Sequence, residues 1–294
     1  MRLASILWFL ALVLNLAALF LPFVSVTIGA STEDYSLLHT VDLLWHYGFP
    51  YLSVLVGLFS VVFPFAKLLV LAGVTWRGWS PRWATTVGGL GKWSMLDLFL
   101  VVLLLAVSYD RLLVSAVPQV GLACFAGAII CSMVMGELLH PRTDSETTTQ
   151  PQKIHRRPWS LALAIVGTVL AMTLPLFATD AWFMSDVSYS LVGIGVTLWQ
   201  AGAWVPALAV ALFLVLMPVL RLGCLVMVSN RGSTWLPAAE FTGRWSMLEP
   251  FALALAIFVV EGKNTIPTAL GHGGIVLVGA IAISTSASWL LTRR

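Results

Sequence analysis

Charged side chains are scarce in this chain: 16 Lys and Arg and 13 Asp and Glu among 294 residues, 10% in all. A soluble chain carries roughly a quarter. With 59% apolar residues and a mean hydropathy of +0.94, there is too little polar surface to face water, which excludes a soluble globular domain. The same apolar content excludes disorder. The net charge of +3 is too small to point to nucleic acid. Cysteine is sparse as well. Cys124, Cys131 and Cys224 form no C-x-x-C pair and lie in apolar runs, so they read as buried small hydrophobes rather than a metal or redox site. No G-x-x-x-x-G-K-[ST], H-E-x-x-H or G-x-S-x-G segment occurs. ATPase, zinc protease and typical lipase chemistry therefore have no support. The reading is a non-enzymatic protein without catalytic residues, cofactor or metal.

What the chain does have is long hydrophobic runs. A hydrocarbon core of ~30 Å needs about 20 residues of helix, and eight runs qualify: Leu3–Val26, Tyr51–Val74, Trp93–Val107, Val117–Leu139, Trp159–Ala178, Trp204–Val228, Trp245–Val260 and Gly273–Leu291. The third and seventh are short and borrow interfacial residues or thin the bilayer locally. The runs do not alternate with period two, which excludes a membrane β-barrel. The expected fold is an all-α polytopic membrane protein with eight transmembrane helices. The first run exceeds a normal signal-peptide core, and no A-x-A site follows it; it reads as a retained helix. Twelve of the 16 basic residues sit at the termini or in alternate loops, whereas the opposite loops hold only Arg111 and Lys263. The positive-inside rule then makes both termini cytoplasmic. Trp76, Trp79, Trp93, Trp159, Trp204 and Trp245, at span edges, read as an aromatic belt.

The chain also repeats itself. Pro64-Phe65-Ala66-Lys67 matches Pro218-Val219-Leu220-Arg221, and Tyr35-Ser36-Leu37 matches Tyr189-Ser190-Leu191, both 154 positions on. Gly91-Lys92-Trp93-Ser94-Met95-Leu96-Asp97 matches Gly243-Arg244-Trp245-Ser246-Met247-Leu248-Glu249, 152 positions on. Residues 1–140 and 159–294 are thus expected to be tandem four-helix repeats in parallel orientation. A polar cytoplasmic linker, residues 141–158, joins them.

A few polar residues stand where a bilayer tolerates them poorly. Lys67 lies nine residues before Trp76 on the cytoplasmic side of the second run, and Arg221 is its equivalent in the sixth. Unpaired, such a cation costs about 2.5–3.5 kcal/mol on insertion scales. Either it snorkels to the headgroups across roughly 13 Å, or it faces the bundle interior and meets a carboxylate or a lipid phosphate. The interior reading gains weight from Pro64 and Pro218, each three residues earlier, because each frees a backbone carbonyl that needs a partner. Ser94-x-x-Asp97 and Ser246-x-x-Glu249 have capping-box spacing, with Lys92 and Arg244 among the headgroups. Each acid also starts a helix on the leaflet side of its cation, so Lys67–Asp97 and Arg221–Glu249 ion pairs are the alternative to capping alone. Glu137 reads as a headgroup contact. In the outer loop Tyr35–Tyr47, Leu37, Leu38, Val41, Leu44 and Trp45 have helical spacing, which predicts an amphipathic segment on the outer leaflet. His39 and His46 flank Asp42 there, but the counterpart Tyr189–Trp199 lacks both histidines, which argues against a metal or proton relay.

With its duplicated P-x-x-[KR] and G-[KR]-W-S-M-L-[DE] segments, the chain resembles the paraquat-inducible protein A family over essentially its whole membrane region. Pro64, Lys67, Lys92, Trp93, Ser94, Asp97, Pro218, Arg221, Arg244, Trp245, Ser246 and Glu249 match the motif. The resemblance implies a multi-pass protein of the bacterial inner membrane, in a double-membrane envelope, that works with periplasmic MCE-domain tunnels. It would load or receive phospholipid and exchange it with that tunnel partner. Well-known members carry cytoplasmic zinc ribbons of C-x-x-C pairs before each half; this chain has none, so metal-linked regulation is not expected. Two other functions compete: a passive anchor and assembly platform for the tunnel, and a membrane redox protein. The last has few histidines to use, His39, His46, His140, His155 and His272, none inside a clear span.

Overall fold

The computed structural model describes residues 2–28, 31–46, 53–54, 56–80, 83, 93, 95–109, 114–139, 158–181, 184–231, 233–262 and 268–292. The chain divides into two compact units, Met1–Thr143 and Asp144–Arg294. The first contains Arg2–Phe20 (α1), Pro22–Ile28 (β1), Ser31–Ser36 (β2), Leu37–His46 (α2), a π turn over Gly57–Val62 (π1), Phe63–Trp76 (α3), Leu96–Tyr109 (α4), Val114–Pro118 (β3) and Val120–Leu139 (α5). The second contains Pro158–Thr173 (α6), Pro175–Ala181 (β4), Met184–Ser190 (β5), Leu191–Gln200 (α7), Trp204–Ala209 (α8), a π turn over Val210–Leu216 (π2), Met217–Arg231 (α9), Leu236–Trp245 (α10), Leu248–Gly262 (α11), Thr268–Leu270 (β6) and His272–Thr292 (α12). Elements common to both units follow in the same order.

The units are predominantly helical, and among the described residues five helical stretches are long and apolar enough to cross a membrane: Arg2–Phe20, Gly57–Trp76, Val120–Leu139, Trp204–Asn230 and Leu236–Val260. Leu98–Ser108, Leu161–Thr173, Leu191–Gln200 and His272–Ser286 are shorter apolar helices. Small residues set the helix contacts. Ala4, Ala11 and Ala18 are buried one heptad apart on α1, which packs against α5. Ala164, Thr168 and Ala171 are buried on α6, which packs against α12. In lipid there is little hydrophobic drive between helices, so close backbone approach through small side chains holds them. The opposite face of α1 leaves Leu3, Ile6, Phe9 and Val13 exposed, as a lipid-facing surface would.

Two small sheets correct the expected span limits. The first run is helical only to Phe20, and the fifth only to Thr173. Pro22 and Pro175 cannot donate the next helical hydrogen bond, and the following segments, P-F-V-S-V-T-I and P-L-F-A-T-D-A, pair as strands instead. The sheets are antiparallel, ordered β2-β1-β3 and β5-β4-β6. Likewise the fourth run begins its helix at Val120, after β3. The third and seventh runs begin theirs at Leu96 and Leu248, not at the tryptophans. Each sheet is pressed against the start of its unit's last helix. A Cβ at Gly121 would lie 2.5 Å from the Pro22 carbonyl oxygen, and one at Gly273 would lie 2.6 Å from that of Leu174. Only glycine fits there.

Candidate functional site

The site in each unit starts from a proline inside an apolar helix. Proline lacks an N–H and its ring collides with the carbonyl four residues back. Both units resolve this with a π turn immediately before it. The Phe63 N–H reaches back five residues to the Leu58 carbonyl, and the Met217 N–H does the same to Leu212. The next acceptors in that register, the Phe59 and Phe213 carbonyls, would need an N–H from Pro64 and Pro218, which have none. In the second unit the missing donor comes from the other motif: the Met247 N–H donates to the Phe213 carbonyl at 3.2 Å. The P-x-x-[KR] and W-S-M-L-[DE] segments are therefore bonded through the carbonyl that Pro218 strands. Burial and aromatic packing reinforce the link. Met247 is fully buried, and the Phe213 and Trp245 rings stack with centroids 6.0 Å apart.

The cations sit one turn beyond the prolines. In the first unit Lys67 is 3% exposed, and its Nζ has no hydrogen-bond partner among the described residues. Ser60, on the same buried face roughly two turns earlier, is also buried, and its Oγ has no such partner either. Next to Lys67, the Leu68 carbonyl accepts the Trp8 Nε1–H at 2.8 Å, which fixes α1 against α3. Lys67 thus does not snorkel to an exposed position. Lys92 and Ser94 lie outside the described residues, as does the side chain of Asp97, whose backbone opens α4. Trp93 is partly buried.

In the second unit Arg221 is half-buried and lies over Gly243. A Cβ there would stand 3.3 Å from its Nε and 3.6 Å from its Cδ and Cζ. The Glu249 carboxylate, in the first turn of α11, lies within electrostatic reach of Arg221. Arg244 occupies the last turn of α10, where a cation complements the helix dipole. Ser246 ends α10, its N–H bonded to the Thr242 carbonyl, and Met247 rather than Ser246 precedes the first residue of α11. Trp245 is buried, with its Nε1 unpartnered among the described residues. Sequence reasoning missed Ser60, Gly243 and Phe213. Ser60 carries no pattern of its own, and Gly243 opens the duplicated motif without signalling a contact with Arg221. Phe213 becomes the stranded acceptor only because the π turn shifts the register to five residues before Pro218.

On the sheet side, α2 forms where the amphipathic segment was expected, with Asp42 and His46 in contact at 3.4 Å. No group of three or more metal-ligating side chains occurs among the described residues. Ser25 binds both Asp34 and Gln119, tying β1 to its neighbours.

The family described as Paraquat-inducible protein A matches residues 2–144 and 155–294. Intermembrane transport protein PqiA of Escherichia coli strain K12 is 29% identical over 166 residues, covering 51% of this chain and 39% of that protein. The protein of the same name from Shigella flexneri gives the same figures. The match therefore spans about two fifths of the length of these relatives. No solved structure matches the chain.

Proposed function

Given that the chain belongs to the paraquat-inducible protein A family and is a multi-pass inner-membrane protein, we propose that it is the inner-membrane component of an envelope lipid transport system. It loads or receives phospholipid and exchanges it with a periplasmic MCE-domain tunnel. In this reading eight helices cross the bilayer as two four-helix repeats, residues 1–140 and 159–294, joined by a cytoplasmic linker at 141–158. Both termini are cytoplasmic, and the two sheets face the periplasm, where a tunnel docks.

One observation carries the proposal: a fully buried lysine in an apolar helix, with no hydrogen-bond partner for its ammonium among the described residues. An ammonium held in that setting is penalised by several kcal/mol unless an anion joins it. A lipid phosphodiester is the anion a bilayer supplies, and Ser60 adds a hydroxyl on the same face. Arg221 offers a guanidinium suited to phosphate, but Glu249 already offsets part of its charge. Lys67 is therefore the primary headgroup site, with Arg221 and Glu249 as a compensated counterpart.

A diazirine side chain installed at Ser60 tests this in native membranes. Irradiation is expected to trap phospholipid, and Lys67→Ala to abolish the product. Capture of neighbouring helices alone, with Lys67→Ala retaining full envelope function, would overturn transport in favour of a passive platform for the tunnel.

A further inference from the structure

We infer that the cavity lined by α7, α8 and π2 in the second unit is a seat for one acyl chain of a phospholipid, an inference that rests on the lipid-handling reading above. The cavity has a volume of about 410 Å³, within the ~300–1,000 Å³ of small-molecule sites. Val192, Val196, Trp199, Leu208 and Val215 are among its walls, and among the described residues Gln200 is the one amide or charged side chain lining it. Val196 and Leu208 are 51% and 57% exposed, so the concavity opens sideways rather than closing into the core.

The first unit supplies the control. Val196 stands where α2 has Asp42, and Gln200 where α2 has His46. Asp42 and His46 have side chains 66% and 71% exposed and in mutual contact, which is a surface built for water. The same helix at the same place in the repeat is therefore apolar in one unit and polar in the other. Position in the chain does not require the apolar lining, so an apolar occupant explains it better.

The backbone keeps the space open. Gly195 faces Val210, whose Cγ1 would lie 3.4 Å from a Cβ, so a longer side chain at 195 would extend into the cavity. Gly202, at φ +74°, turns the chain sharply between α7 and α8. That turn brings Trp204 back onto Trp199, with ring centroids 4.9 Å apart. Paired tryptophans of this kind favour the headgroup level, where one edge is apolar and the other wet. The chain of a lipid whose head lies beside them would run down into the cavity. Lipid tails are as apolar as the walls, so no hydrophobic gain draws a tail from the bilayer into the seat. Its value arises when the lipid is lifted out, because each methylene left in water is penalised and the seat shelters the chain.

The test uses the full chain reconstituted in phosphatidylethanolamine–phosphatidylglycerol vesicles containing a trace of phosphatidylcholine with a diazirine on one acyl chain. After irradiation, peptides carrying α7 and π2 are expected to be labelled several-fold more than the lipid-facing side of α6, at Leu163, Val166 and Leu170. Gly195→Leu and, from the opposite wall, Ala211→Leu should each lower the α7 label several-fold while leaving the α6 label unchanged. Equal labelling of α7 and α6, or α7 labelling that persists in both filled variants, overturns the seat. Because the Ser60 diazirine reports on the headgroup site separately, phospholipid captured there without enrichment on α7 would reject the seat and leave the transport reading standing.

Discussion

The two units build one backbone device twice and arm it differently. Each places a π turn, a proline and a cation in succession on one helix. In the first unit the cation is a lysine sunk in apolar surroundings, with its nitrogen unpartnered among the described residues. In the second it is an arginine half-buried over Gly243 and near Glu249. The same divergence recurs at the sheet end, where α2 exposes Asp42 and His46 and α7 presents Val196. Backbone hydrogen bonding constrains both copies equally, since a proline strands the same carbonyl wherever it falls. Side chains carry no such obligation. What differs between the units is therefore where a division of labour resides: a buried cation without a hydrogen-bond partner among the described residues in one, and a cation facing a carboxylate, in a unit that also holds an apolar cavity, in the other.

Exchanging the cations for methionine should separate the units most sharply. Lys67→Met is expected to reduce lipid transfer by at least about tenfold, equivalent to 1.4 kcal/mol, with the thermal midpoint in detergent unchanged or raised. The reason is that an apolar replacement removes a buried charge that has no hydrogen-bond partner among the described residues. Arg221→Met should instead lower the midpoint, by about 1–3 kcal/mol in stability, because Glu249 loses its compensating partner. Equal midpoint losses in both variants would erase the distinction.

Gly243→Val pushes into the space beside the Arg221 side chain and should cost about 1–3 kcal/mol as overpacking. Adding Arg221→Met should recover part of that loss, and strict additivity in the double-mutant cycle would refute the contact. Pro218→Ala restores an N–H to the helix, which then competes for the Phe213 carbonyl. The expected loss is about 1 kcal/mol, with faster hydrogen exchange at the Met247 amide; unchanged exchange would break the link between the two motifs. The smallest effect belongs to Asp42→Val. It removes a solvent-exposed contact with His46, so the midpoint should move by less than about 0.5 kcal/mol, and a larger shift would mean that α2 is not facing water.

Much of this arrangement was legible from the chain alone, and the exceptions have definite causes. Pro64 and Pro218 signal a stranded carbonyl in the sequence itself, because proline's missing donor is a local property. Which group would answer it was not legible: Met247 is 34 positions from Phe213 in sequence. The strands were hidden for a related reason. Phe23, Val24 and Val26 are as hydrophobic as the helix before them, so a hydropathy run passes over the boundary at Pro22. Their conformation depends on pairing with residues far along the chain, as Ser25 does with Val117. Ser60 was unremarkable in sequence and became significant only once its burial was known.

Composition and order by themselves determined that this is a membrane-embedded chain of apolar helices and that its motifs occur twice. They also determined that each half carries a cation one turn past a helix-breaking proline. These follow from the cost of placing charge in lipid and from the covalent nature of proline, neither of which needs a tertiary contact. Only the tertiary structure decided that apolar segments after Pro22 and Pro175 become sheet, that Met247 satisfies Phe213, and that Lys67 is buried while Arg221 lies against Gly243. Strand pairing, burial and electrostatic reach join residues distant in sequence, so they are settled by how the chain packs.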